Sequence, residues 1–390
     1  MANIIDYLKW RGDITLRQDP LNKVDAMLFA CISYVDFGGV VPEDDVEISF
    51  ADACSRFFEL HSEEELAADN SFISFAPSLF KEAAACARYR DLTMSRYVNH
   101  IDINDMIQFS AVTIRLSEDE VFIAFRGTDD TIVGWKEDFY ISCTTISSED
   151  ESIVYLTEGQ KGRCDRIYLG GHSKGGHLAI YSAYNADSDI RNRVARIYDF
   201  DGPGFNSEVM ASEPFRSVGP RITRVIPENS IIGRLLSDTA EPLIVLSTEK
   251  GIMQHDPMSW QIEGKLFLAV EKNSVASDVF DETLTKWIDE LDTDEKKRFI
   301  DDLFAVLEAS GETNVSKLSG LSLQAVKAML GKMQLLRKGS RDKIRLLLKY
   351  FLGNWGEVIA HTSKFMSVRE KFPLKRLISS KRRLTEEGES

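Results

Sequence analysis

No stretch of about eighteen consecutive apolar residues occurs in the chain, so no membrane-spanning helix is expected. The opening residues Met1-Ala-Asn-Ile-Ile-Asp-Tyr7 carry neither the basic nor the apolar segment of a secretory signal. Cysteine is scarce: Cys31, Cys54, Cys86, Cys143 and Cys164 are odd in number, scattered, and never spaced C-x-x-C. That pattern excludes a disulfide framework or a zinc site and predicts reduced thiols, with no metal and no cofactor. Positive charge is in deficit, 47 Lys and Arg against 62 Asp and Glu, and the net charge of −15 argues against nucleic-acid binding. A soluble, cytoplasmic protein is expected.

What is present is ample material for a core, with 43% hydrophobic and 10% aromatic residues in a chain of 390. The charge is also unevenly placed. Between Lys332 and Arg383 stand 15 Lys and Arg against Asp342, Glu357 and Glu370, a segment of +12 that leaves −27 for the remainder. The plain reading is a basic end packed on the acidic body of its own chain. The sharper one is peripheral contact with an anionic membrane, for which Arg341-Asp-Lys-Ile-Arg-Leu-Leu-Leu-Lys349 is amphipathic enough.

Residues 1–100 read mainly as helix: 22–34 has apolar residues at helical spacing, and 63–68 and 78–90 are further candidates. The texture then turns to β. Runs at 110–115 and 120–126, joined by a polar turn, predict a hairpin. Strands follow at 167–170, 194–200, 222–226 and 242–247, with a last β segment within 258–268 and helices near 133–139 and up to 186. Strands alternating with helices predict an α/β sheet, mostly parallel with an antiparallel start, flanked by helices. From about residue 276 the pattern is helical (281–291, a helix opened by Thr293-Asp-Glu-Lys, 322–336 and 341–352). The expected division is therefore 1–275 as the α/β domain with a helical N-terminal part, and 276–390 as a C-terminal helical extension with a basic tail.

Gly171-His172-Ser173-Lys174-Gly175 lies between an apolar strand and a helix-forming run, the setting in which a G-x-S-x-G presents its serine on a tight turn. A serine hydroxyl needs a base, and the base needs an orienting group. The six histidines make a short census. His61 and His100 precede the sheet, His361 lies in the basic tail, and His177 sits on the helix after the elbow. His172 is expected to point away from the nucleophile. His255, in a loop after the strand 242–247, stands where an α/β-hydrolase delivers its histidine, late in the chain; the bland reading is an exposed loop residue. The acid stays open among Asp201, which ends the strand after the elbow helix, Glu228 after the next strand, and Asp238. Asp256 adjoins His255 but is expected to point elsewhere.

An acyl-transfer site also needs two donors for its oxyanion. The N–H of Lys174 is one candidate. Thr128, in the loop after the hairpin, is the other, and Arg126 is expected to tie that loop to Asp138.

Ile123-Ala-Phe-Arg-Gly-Thr128, Trp135, Asp138 and Gly171-His-Ser-Lys-Gly-Gly176 together resemble the class 3 lipases. A closer resemblance is to a bacterial lipase-like branch of unassigned function. With it the chain shares Tyr7-Leu-Lys-Trp-Arg-Gly-Asp13, Asn22-x-x-Asp25, Asp201-Gly-Pro-Gly-Phe205 and Gln254-His-Asp-Pro-Met-Ser-Trp260. The resemblance spans roughly residues 4–270 and implies an α/β-hydrolase fold and a serine ester hydrolase, with lipids among the candidate substrates. Two departures are visible: Lys174 where those lipases have a small or apolar residue, and Pro227-Glu-Asn-Ser-Ile231 where they carry an aspartate.

The expected function is a carboxyl-ester hydrolase of lipase, esterase or lysophospholipase type, working through an acyl-enzyme on Ser173. His255 is the base, Asp201 the orienting acid, and Thr128 and Lys174 the oxyanion donors. The segment 205–215 or part of the helical N-terminus is a candidate lid. The alternatives are a catalytically inactive interaction protein using its C-terminal helices, and an acyltransferase using the same site.

Overall fold

The computed structural model describes residues 2–351, except 69–70, 72, 103–106, 130, 142–143, 145, 161–165, 235, 237–238, 271–290, 316 and 319–320. The expected helix over 281–291, Asp238 and the basic tail beyond Phe351 thus fall wholly or largely outside the described residues.

Eight strands form one sheet in chain order. They are β1 (Ile48–Ser49), β2 (Thr93–Asp102), β3 (Ile107–Arg115), β4 (Glu120–Phe125), β5 (Arg166–His172), β6 (Val194–Phe200), β7 (Ile222–Pro227) and β8 (Leu243–Val245). Strands β1 to β4 pair antiparallel and β4 to β8 parallel, as the sequence predicts. A two-stranded antiparallel ribbon, β9 (Ile262–Glu263) and β10 (Leu266–Phe267), adjoins β8, to which its flanks are bridged at Val245–Ala269 and Ser247–Trp260. This is an α/β-hydrolase fold.

The sheet is covered on both faces, and period-two alternation decides which side chain goes where. Phe122 and Ala124 of β4 join the cluster built with the N-terminal helices, which include Lys23–Ile32, Phe50–Leu60 and Phe75–Ala84. Val121, Ile123 and Phe125 of the same strand join the opposite cluster, under the helices Ser147–Gln160 and Lys174–Asn185.

The N-terminal layer is locked by a buried polar knot. Asp25 accepts from the hydroxyls of Tyr7 and Tyr89 at 2.7 Å each, and from Arg88 at 2.7 and 2.5 Å. Two sequence motifs, Tyr7 and Asn22-x-x-Asp25, therefore meet at one carboxylate, which also pairs with the more distant Arg88.

Two of the elements that were not foreseen have a visible physical reason. β2 falls where helix is expected, and a bulge between Ser95 and Val98, with Arg96 at φ 56°, breaks its alternation. The helix Ser147–Gln160 is too polar to show a stripe, because it buries Ser148, Glu149, Ser152 and Gln160 beside Tyr155 and Leu156.

The C-terminal helices Thr293–Glu308, Leu323–Gln334 and Lys338–Phe351 follow the expected pattern. The first opens with a capping box between Asp292 and Glu295. Their apolar faces share one cluster with Ile132, Trp135 and Phe139 after β4, Ile231 and Ile232 after β7, and Ile252. Polar ties add to it: Ile132 N donates to the Thr313 carbonyl at 2.8 Å, and Asp301 accepts from Tyr140 and pairs with Lys136, both at 2.7 Å. No helix among the described residues is long and apolar enough to cross a membrane.

Candidate functional site

Strands β4, β5 and β6 end side by side, with Phe125 opposite Gly171 and His172 opposite Phe200 in the parallel register. The residues just past these ends therefore converge on one sheet edge. Ser173 follows β5 and Asp201 follows β6, and each continues the ladder by one bond, Ser173 N to Phe200 O and Asp201 N to Val225 O, both 2.9 Å. Both then turn sharply at positive φ, 57° for Ser173 and 58° for Asp201. Such backbone costs about 1–3 kcal/mol per residue and persists only where the surroundings impose it. They do so through glycine: a Cβ on Gly171 would strike the backbone of Gly175, and one on Gly175 the carbonyl of Phe125. The G-x-S-x-G spacing is thus a steric requirement of the elbow.

His255 ends a short 3-10 turn, Gly251–His255, after β8. Its Nδ1 donates to Asp201 Oδ2 at 2.7 Å. That bond puts the proton on Nδ1 and leaves Nε2 as the basic nitrogen of the neutral ring. The other Asp201 oxygen accepts from the Ser230 hydroxyl and from Gly233 N at 3.2 Å. Of the two described candidates, Asp201 and Glu228, Asp201 is bonded to His255; Asp238 lies outside the described residues. Glu228 is tied through its backbone N–H to Val245, 3.1 Å away. Its loop, where the resemblance led one to look for an aspartate, instead contributes Ser230 as a second partner of Asp201. Asp256 caps the next turn through Met258 N at 2.9 Å, pointing elsewhere as expected. Burial pushes its carboxyl up to about 6.

The loop after β4 carries Gly127 and Thr128. Thr128 is 1% exposed and donates its hydroxyl to Asp138 Oδ1 at 2.5 Å. Asp138 is wholly buried, and burial raises its carboxyl to about 6 against the opposing pull of Lys174, the Thr128 hydroxyl and His255. The expectation that Arg126 ties this loop to Asp138 is corrected. Thr128 holds that carboxylate, and Arg126, at the edge of the sheet, donates to Asn99 of β2 at 2.9 Å. Lys174 is the first residue of the elbow helix, so helix geometry leaves its N–H without an intrahelical acceptor.

His172 is a second correction. As the last residue of β5 its ring does not turn away; it lies 4.5 Å from the His255 ring, and Nε2 donates to the His255 carbonyl at 2.8 Å. Nδ1 accepts from the Tyr34 hydroxyl at 2.9 Å, and burial holds the imidazole well below its ordinary range, hence neutral. Trp135 closes the other side of His255, edge-on at 5.2 Å. Neither the place of Tyr34 beside His172 nor that of Trp135 beside His255 was assigned from sequence. Tyr34 follows the helix that holds Asp25, and only the fold brings it to His172.

The segment Phe205–Phe215, expected as a lid, packs on the flank of the elbow helix: Phe205 stacks on His177 at 4.1 Å, and Phe215 meets Tyr184 at 5.6 Å. His177 is itself bound to Glu149 at 2.9 Å. The cluster that includes Trp135 and Ile252 is completed instead by the C-terminal helices. Ser173 is 3% exposed and His255 5%. Among the described residues no group of three or more His, Cys, Asp or Glu is placed to hold a metal ion.

A serine elbow on a mostly parallel sheet, with a histidine and an aspartate bonded on the same edge, defines a lipase-like protein of the α/β-hydrolase class. The chain belongs to the Mbeg1-like family, a class 3 lipase-like family, whose model matches residues 83–305. Among solved structures, M37 lipase is a distant match at 12% identity and TM-score 0.35, covering 86% of this chain and 99% of that one. No curated protein matches the sequence.

Proposed function

We propose that this protein is a serine-dependent carboxyl-ester hydrolase. The observation that carries the reading is the 2.7 Å bond from His255 Nδ1 to Asp201 Oδ2, formed on the sheet edge where Ser173 sits on its elbow. Ser173 Oγ attacks the ester carbonyl while His255 Nε2 takes its proton. Asp201, held by Ser230 and Gly233, keeps the ring in that tautomer and stabilises the imidazolium that forms. The tetrahedral oxyanion is met by the N–H groups of Thr128 and Lys174. His255 then protonates the departing alcohol, leaving an acyl-Ser173 that water hydrolyses by the same steps in reverse roles. Trp135, edge-on to His255, is an apolar neighbour that suits an ester acyl group better than a charged acid.

Hydrolysis of p-nitrophenyl butyrate by the full chain and by Ser173→Ala tests this directly. The variant is expected to lose turnover by at least about a thousandfold. Undiminished turnover in Ser173→Ala overturns the assignment.

A further inference from the structure

We propose that His177 is a positioning residue: from the elbow helix it grips the Pro203 carbonyl and so sets the loop that carries Asp201. The inference rests on the serine-hydrolase reading above and extends it to a histidine that reading does not use.

Asp201 leads into Gly202-Pro-Gly204, a buried stretch that lies in no helix or strand. Buried backbone without a ladder has to find its hydrogen bonds on side chains. Gly202 finds two of them: its N–H donates to Asp199 Oδ1 at 2.8 Å, and its carbonyl accepts from Arg224 at 3.2 Å. Pro203 has no N–H to give, and its carbonyl accepts from His177 Nδ1 at 3.2 Å. A carbonyl oxygen can only accept, so this contact places a proton on Nδ1. Asp199 and Arg224 thus hold the near end of the stretch to the sheet, and His177 holds the far end to the elbow helix.

The histidine is itself held from two sides. Its Nε2 is bonded to Glu149 Oε1 at 2.9 Å, with His177 2% exposed and Glu149 4%. The other Glu149 oxygen accepts from Ile146 N at 2.8 Å, which anchors the carboxylate at the start of its own helix, Ser147–Gln160. Phe205 lies on the ring face, 15° from parallel and 4.1 Å away. The residue that ends the loop is therefore pressed against the residue that grips its middle. One ring joins the elbow helix, the helix Ser147–Gln160 and the loop of the acid.

The same contact spaces the nucleophile and the acid. His177 follows Ser173 by four residues, about one helical turn. A Cβ added to Gly202 would lie 2.7 Å from the Ser173 carbonyl oxygen and 3.0 Å from His177 N, so loop and elbow touch without spare room. Loss of the Nδ1 bond leaves the Pro203 carbonyl buried and short of a donor, and the loop must shift to satisfy it. Asp201 has to meet His255 Nδ1 at 2.7 Å, and a displacement of about 1 Å costs up to about a hundredfold in rate.

The test compares His177→Asn and His177→Gln in the full chain, on p-nitrophenyl butyrate, each with a melting curve. The amide nitrogen of asparagine falls near the place of ring Nδ1, and that of glutamine near Nε2. The first variant therefore keeps the bond to Pro203, and the second keeps the bond to Glu149. His177→Asn strands a buried carboxylate and is expected to melt at least about 4 °C lower, yet to keep kcat within about threefold. His177→Gln is expected to melt closer to wild type, yet to lose kcat about 10- to 100-fold with KM changed less than about threefold. In an Asp201→Asn background His177→Gln should cost less than about twofold more, because the residue it positions no longer acts. Wild-type kcat in His177→Gln overturns the proposal. So does an activity loss that follows the melting temperature, with His177→Asn the poorer enzyme, or a His177→Gln penalty that persists undiminished in Asp201→Asn. Undiminished turnover in Ser173→Ala is a separate result, and sinks the underlying hydrolase reading instead.

Discussion

The imidazole of His172 holds the backbone of His255: Nε2 of one lies 2.8 Å from the carbonyl oxygen of the other. The residue before the elbow serine thereby fixes the loop that carries His255, and Tyr34 fixes His172 in turn. Because Nδ1 must be unprotonated to accept from the Tyr34 hydroxyl, the arrangement responds to acid. Folded His172 stays unprotonated well below its ordinary value of 6.5, whereas the unfolded chain takes up the proton there. The unfolded state then binds more protons, so stability falls as pH drops below about 6.5, by about 1.4 kcal/mol per unit for this group. Urea unfolding between pH 5 and 7 checks it. Wild type should lose stability toward pH 5 more steeply than His172→Gln, by about one proton's slope.

Asp201 and Ser230 divide one task unequally. Asp201→Asn keeps the shape but no longer demands a proton on His255 Nδ1, and kcat should fall about 10³- to 10⁴-fold with little change in melting temperature. Ser230→Ala removes one of the partners of the far carboxylate oxygen and should cost roughly tenfold. Steady-state kinetics on both variants checks the ranking. Equal losses would place Asp201 outside the orienting role.

The Asp25–Arg88 pair is buried on both sides and ties the N-terminal helices to the segment before β2. Arg88→Met leaves Asp25 as a buried carboxylate without its cation, and the expected loss is about 3–5 kcal/mol in chemical denaturation. A loss below about 1 kcal/mol would mean that the knot is not what holds this layer.

The C-terminal helices meet the body through an apolar face and through an ion pair of very different weight. Phe304 is fully buried against Phe139 at 5.3 Å, and Phe304→Ala should cost about 3–5 kcal/mol. Asp301 pairs with Lys136 half in solvent, and Asp301→Ala should cost no more than about 1 kcal/mol. Thermal melts of the two variants give the comparison.

Most of the sheet was legible because its strands are short apolar runs bounded by turn residues: β6 matches its expected range residue for residue, and β5 and β7 lie within two residues of theirs. The elbow was legible because its glycines are sterically required. His255 emerged from a small census, and Asp201 from its place at the end of the strand after the elbow helix. What sequence did not give has physical reasons. The β2 strand hides behind a bulge, and the helix 147–160 buries polar groups and so shows no apolar stripe. Tyr34 meets His172, and Trp135 meets His255, only because distant segments fold together, a relation that local pattern does not encode. His172 was misread because its side chain was assigned from the elbow alone, without the histidine loop that folds over it.

The central claim is that Ser173 is a nucleophile activated by His255. The most direct measurement is labelling of the folded chain with a fluorophosphonate, followed by intact-mass and peptide mass spectrometry. One adduct on Ser173 is predicted, absent in Ser173→Ala and formed at least about a hundredfold more slowly in His255→Ala. No adduct on the folded protein, or an adduct that forms at the same rate in either variant, would contradict it.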